Sequence, residues 1–96
     1  MTIFAVEYVY SPDHEQLRAE HRPEHRTWLE GLVEQGAVLA TGPFTDGSGA
    51  LLLFSSASEG DLHQLISEDP FARVGAISAV KTTEWSPVIG AFRNLV

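Results

Sequence analysis

Cysteine is absent from the 96 residues, which excludes disulfides, thiolate nucleophiles, Cys-ligated zinc and iron–sulfur clusters. Basic residues are scarce: six Lys and Arg against thirteen Asp and Glu give a formal net charge of −7 and a pI near 4.8. Phosphate neutralisation needs clustered Lys and Arg, so no nucleic-acid partner is expected, and an anionic membrane surface is disfavoured for the same reason. No apolar run approaches the ~20 residues of a membrane span. The opening Met1-Thr2-Ile3-Phe4-Ala5-Val6-Glu7 has no basic stretch before its apolar run, so no secretory leader is expected either. G-x-S-x-G, Gly-Lys-Ser/Thr and G-x-G-x-x-G motifs are missing, which removes the nucleophile elbow and the common phosphate cradles. A small acidic protein, expected in the cytoplasm, remains. Apolar residues make up 44% of it, enough for one core in a single domain spanning 1–96.

Two periodicities organise the chain. Residues 2–10 are β-branched and aromatic and end at Ser11-Pro12-Asp13, a strand and a turn. Pro23 divides the helical segment that follows: its ring disfavours an α conformation at Arg22 and suits a first turn. A short piece at about 13–21 and a main helix from Pro23 to Gln35 are predicted, with Trp28, Leu29, Leu32 and Val33 as its apolar stripe and Gly36 as its stop. Glu24, Arg26, Glu30 and Glu34 fall on the solvated side. Strands follow at 37–42 and 50–55, then a helix capped at Ser58 that carries Leu62, Leu65 and Ile66 and ends near Asp69-Pro70. A last strand runs from Ala76 to Trp85, and the tail, about 86–96, is apolar enough that docking is expected, with a second subunit as one surface for it.

The order β-α-β-β-α-β predicts an α+β, ferredoxin-like split sandwich with both helices on one face of an antiparallel sheet. The other face is left open and apolar. Stacking of two such faces in a homodimer, or a higher homo-oligomer, would cover it.

Histidine is the side chain best suited to exchange protons near neutrality, and the chain has four. His14 and His63 sit among polar residues and read as surface groups. His21 and His25 have i, i+4 spacing, but Pro23 lies between them and no third ligand follows, so no metal is expected. His25 lies where the apolar stripe begins and in the expected first turn, where the helix end favours neutral imidazole. Antiparallel helices would set that first turn beside the end of the second helix, at Asp69. An Asp69–His25 pair would fix the tautomer and stabilise the imidazolium. The plainer alternative is that Asp69-Pro70 is only a helix stop and His25 only fills the helix edge. Arg22 is placed either to clamp an oxyanion or to pair with a surface Glu. Gly42-Pro43 and Gly47-Ser48-Gly49 form either a cover over a ligand or a plain hairpin connection. Trp28 and Phe71 suit a core as readily as a ligand-stacking site.

Arg22-Pro23-Glu24-His25, Trp28-Leu29, Leu32, Gly36, Thr41-Gly42-Pro43 and Asp69-Pro70-Phe71, in this order and spacing, resemble the YCII-related domain family. The resemblance runs from the first strand to Trp85. It implies a ferredoxin-like fold assembled as a dimeric α+β barrel, with an active site of one His and one Asp, here His25 and Asp69. One characterised branch of the family is a dehydrochlorinase that removes chloride from a hydroxylated aromatic ring. The apolar tail departs from the short polar ends of many relatives and bears on assembly.

Two readings follow. The first is a cofactor-independent enzyme acting on a small cyclic or aromatic oxygenated metabolite in a dehydrochlorinase-, lyase- or isomerase-like reaction. His25 and Asp69 would be catalytic, and Arg22, Gly42, Pro43 and Phe71 would bind substrate. The second is a non-catalytic dimeric ligand-binding or accessory module.

Overall fold

Phe4, Val6 and Tyr8 alternate with less buried neighbours along β1 (Thr2–Val9), so one face of the strand faces the core. The structure is a computed structural model describing residues 1–95; Val96, the last residue of the apolar tail, lies outside the described residues. The later strands are β2 (Val38–Pro43), β3 (Gly49–Ser56) and β4 (Ala79–Glu84). They form one antiparallel sheet in the order β2-β3-β1-β4. The helices are α1 (Glu15–Glu34), α2 (Glu59–Ile66) and α3 (Pro70–Arg73), with a 3-10 turn at Pro12–His14 ahead of α1. This is the ferredoxin-like α+β arrangement.

In register, Phe4, Val6 and Tyr8 lie opposite Phe54, Leu52 and Ala50, and these six pack with Leu29 and Leu32 of α1 and Leu62 and Ile66 of α2. Both longer helices therefore cover one face. Burying each such aliphatic or aromatic side chain contributes about 1.5–3 kcal/mol. On the opposite face Val9 and Leu51 remain 48% and 38% exposed.

Four boundaries differ from expectation. Pro23 does not divide the first helix: α1 runs unbroken through it for 20 residues. Ala19 and Pro23 both lie on the exposed side, so the carbonyl that loses its N–H partner meets water rather than the core. The second is the end of the second helix: α2 stops at Ile66, and Asp69 caps α3 instead, accepting from the Phe71 N–H at 2.9 Å. The third is β4, shorter than predicted because Gly75, at φ +73°, ends α3 and the Ala76 N–H bonds back to the Phe71 carbonyl. Gly36 closes α1 in the same way, as its sequence position indicated, with Ala37 donating to Leu32.

The tail is the fourth. Trp85 donates its N–H to the Ile3 carbonyl, and Leu95 shares a shallow cleft with Ile3 and Trp85. Val88 and Ile89 stay 60% and 88% exposed.

Gly49 is required by close approach rather than by its turn. A Cβ built there would fall on the Tyr8 carbonyl oxygen. Gly49→Ala must therefore shift β3 against β1, and overpacking of this kind costs about 1–3 kcal/mol. We expect a lower urea midpoint with an unchanged m-value; a wild-type midpoint would show that the two strands separate freely here.

Candidate active site

The site begins with a helix cap. Asp69 precedes Pro70, whose ring suits the first helical position, and its carboxylate takes the Phe71 N–H, starting α3. The residue is 0% exposed, and a buried carboxylate is tolerable only if its oxygens are satisfied. Oδ1 also takes a hydrogen bond from His25 Nδ1 at 2.7 Å, and Oδ2 takes one from the Tyr8 hydroxyl at 2.8 Å. One carboxylate thus joins β1, α1 and α3.

His25 and Asp69 meet for a reason other than the expected one. Because α1 is continuous, His25 sits in its middle, and the favourable helix-end effect on neutral imidazole is absent. The 8-residue α2 is about 12 Å long against about 30 Å for the 20-residue α1. Its end therefore falls opposite the middle of α1, where Leu29 and Leu32 hold the same face against the sheet.

An ionised carboxylate accepts, so His25 Nδ1 carries the hydrogen of this bond, and in the neutral imidazole that leaves the lone pair on Nε2. Nε2 has no hydrogen-bond partner among the described residues. The Phe71 ring lies parallel to the imidazole, 3.8 Å between centroids and 3° between planes. Held on one side by Asp69 and on one face by Phe71, the imidazole has a single orientation. It opens on a cavity of about 390 Å³ bordered by Tyr10, Arg22, Arg26, Thr41, Pro43 and Phe71, among others. That volume lies at the small end of ordinary ligand pockets.

The residues singled out in the sequence converge here. His25, Arg22, Gly42, Pro43 and Phe71 all border the cavity, with Asp69 directly behind His25. Gly42 and Pro43 end β2, an edge strand, where a missing N–H is tolerated. The loop after them is a tight hairpin closed by the Phe44 N–H donating to the Gly49 carbonyl at 2.8 Å, by the Gly47 N–H donating to the Phe44 carbonyl at 3.0 Å, and by the Asp46 carboxylate accepting from the Ser48 N–H and hydroxyl. Those Ser48 hydrogen bonds hold the Asp46 carboxyl below its usual range. Trp28 is half-buried against the core and does not border the cavity.

The other histidines stand apart. His63 faces Glu59 on exposed α2, and His21 faces Glu24 at 3.5 Å. His14 is half-buried rather than a surface group, packed where the 3-10 turn meets α1. Among the described residues no group of three or more His, Asp or Glu could hold a metal ion.

Sequence reasoning missed Tyr8, Tyr10, Arg18 and Arg26. Tyr8 reads as one more inward strand residue; only the position of Asp69 gives its hydroxyl a role. Tyr10, just past β1, lies edge-on to Phe71 and beneath the Arg18 guanidinium, 4.4 Å from the ring. Arg18 recurs seven residues before His25 on one helix face, the one sequence signal for its inward position. Arg26 was placed on the solvated side; it is exposed, yet borders the cavity.

Burial pushes the Tyr10 hydroxyl up to about 12, reinforced by the Asp69 charge and opposed by Arg18 and Arg22. Burial pushes Tyr8 higher still, again with Asp69 behind it.

Comparison with known families and structures agrees with the fold. The model of the YCII-related domain matches residues 2–86. The structure of 5-chloro-2-hydroxyhydroquinone dehydrochlorinase (TftG) from Burkholderia phenoliruptrix AC1100, solved with 2,5-dihydroxybenzoquinone, is similar at a TM-score of 0.77 and 23% identity, covering 86% of this chain and 92% of that one. A Bacteroides thetaiotaomicron structure, named for antibiotic biosynthesis monooxygenases, is similar at a TM-score of 0.58 and 13% identity, covering 92% and 90%. Both likenesses concern the fold. Among curated proteins nothing matches.

Tyr8 and Tyr10 are the only tyrosines, so tyrosinate absorbance reads this network alone. In the folded protein it should not rise through pH 10 but only near 12 and beyond, whereas the chain unfolded in urea should titrate near 10. Above pH 10 the unfolded state then binds fewer protons than the folded one, and stability falls as pH rises. A folded protein losing a tyrosine proton near 10 would contradict the buried network.

Proposed function

The chain belongs to the YCII-related domain family, and on that premise we propose that it is an enzyme in which His25 exchanges a proton with a small cyclic or aromatic oxygenated molecule. The observation that carries the proposal is His25 itself: Nδ1 held at 2.7 Å by a fully buried carboxylate, Nε2 without a partner among the described residues, and the side chain on the border of an open cavity. Nε2 takes a proton from the substrate, and Asp69 stabilises the imidazolium that forms. Tyr8 and the Phe71 N–H keep the carboxylate in place while this charge comes and goes. Proton transfer by this pair draws on no cofactor and no metal.

Removal of a proton and a leaving group that departs with its bonding pair is the reaction class this favours. The similar fold of a dehydrochlorinase supports it. Arg22 and Phe71 would position the ring, and Gly42 and Pro43 would form the wall opposite. The uncovered sheet face, with Val9 and Leu51, supports a homodimer stacked face to face, with Val88 and Ile89 of the tail available to it. A cytoplasmic setting belongs to the same reading.

The test is chloride release from a panel of chlorinated hydroxyaromatics. A positioned base contributes ~10²–10⁴-fold, so His25→Ala should lose that much in kcat with the fold intact by circular dichroism. Turnover by His25→Ala at the wild-type rate would end the proposal, and binding without turnover by the wild type would favour an accessory module. Sedimentation at micromolar concentration should give twice the 10.5 kDa of one chain; a 10.5 kDa species would contradict the dimer.

A further inference from the structure

Arginines 18, 22 and 26 are spaced by four residues, so they rise along one side of α1 at intervals of about 6 Å. Arg22 and Arg26 border the cavity that His25 opens on, and Arg18 and Arg22 border the cleft that continues from it past Tyr10 and Pro43. Half of the six basic residues of a chain with net charge −7 therefore gather at one opening.

Among the described residues no carboxylate lies within 4 Å of any of their guanidinium groups; the close carboxylate contacts all involve histidine, His21–Glu24, His25–Asp69 and His63–Glu59. Arg18 is only 5% exposed, and its guanidinium donates to the carbonyls of Ser11 and Ala76 at 3.0 and 3.4 Å and lies over the Tyr10 ring. Those carbonyls take hydrogens of one guanidinium nitrogen and leave the charge without a carboxylate partner, and a buried charge without a counterion is costly. Acidic groups do border the two spaces: Glu30 the cavity, and Glu15 and Asp46 the cleft, all exposed. At the inner wall, beside His25, the nearest carboxylate is Asp69, whose oxygens are already taken by His25, Tyr8 and the Phe71 N–H, so the guanidinium groups of Arg22 and Arg26 remain available to a ligand.

We infer that the cavity takes an anionic ligand, a carboxylate or an ionised enol or phenol, with Arg22 and Arg26 as its direct partners and Arg18 as the buried charge behind Tyr10. This rests on the proposed use of the cavity and names the substrate class for it. Two arginines beside a base suit a substrate that gains negative charge as its proton leaves, since the oxyanion forms where guanidinium groups already stand. Nearby positive charge also draws anions toward an otherwise acidic protein.

An isosteric pair of probes isolates the charge: 3,4-dihydroxybenzoate and its neutral amide, 3,4-dihydroxybenzamide. Binding is followed at low salt by the shift of the His25 ring resonances, which places the probe in this cavity. The wild type should bind the benzoate at least ~10-fold more tightly than the amide, the scale of one charge-assisted hydrogen bond. Arg26→Gln, at an exposed position, should lower that preference, and Arg22→Gln with Arg26→Gln should abolish it. Replacing both by Lys should restore part of it, which a packing role would not. Equal affinity for the two probes, no binding of the benzoate at millimolar concentration, or a preference untouched by the double Gln variant would overturn the inference. Because the readout is binding, it separates from the catalytic proposal: anion preference without turnover would remove the enzyme and keep the site, and turnover lost in His25→Ala without anion preference would do the reverse.

Discussion

The carboxylate of Asp69 is the constraint to which the other parts of the site answer. A charge with no exposure to water is destabilising by several kcal/mol unless donors replace the water it has lost. Here three donors do so, from the end of β1, the middle of α1 and the first turn of α3. Each comes from a different segment, so the sheet, the long helix and the short helix must all be in place before the charge is satisfied. Folding and assembly of the proton-transfer pair are thereby one event. Removing any one donor leaves the carboxylate under-satisfied in a low-dielectric setting, which is why the same contacts that orient His25 also hold the α1–α3 corner together.

From that corner the chemistry follows in layers. Asp69 fixes which imidazole nitrogen holds hydrogen, Phe71 fixes the ring plane, and the cavity decides what reaches the free nitrogen. Beside Tyr10, the arginines of α1 bring guanidinium groups to the wall in a protein that is acidic as a whole. In the proposed reaction a base that gains charge beside a buried carboxylate and a substrate that gains charge beside guanidinium groups would be complementary demands. One helix face meets both, because His25 and its flanking arginines lie on the same side of α1.

Much of this was legible in the sequence where pattern and chemistry coincide. The β-branched and aromatic run over residues 2–10, the capping serine before α2 and the glycine after α1 pointed to the elements, and the antiparallel helix order, with the family resemblance carried by Arg22-Pro23-Glu24-His25 and Asp69-Pro70-Phe71, pointed to the pair. The route to the pair was not legible. Pro23 carries a strong local signal for a helix start, but its cost is small where the orphaned carbonyl of Ala19 faces water, and solvent exposure is a tertiary fact. Tyr8 is indistinguishable by period from Phe4 and Val6, since a hydroxyl at the far end of an inward ring matters only once something polar meets it. Arg26 reads as solvated by its helical angle, and exposure did prove correct; what no periodicity contains is the cavity wall across from it, supplied by β2.

The central claim is that Asp69 holds His25 in the tautomer that presents Nε2 to the cavity. Long-range ¹H–¹⁵N correlation spectra of the neutral imidazole test it directly. His25 should show hydrogen on Nδ1 and a lone pair on Nε2, and Asp69→Asn should weaken that preference. Hydrogen on Nε2 in the wild type, the form an isolated histidine favours, would contradict the account.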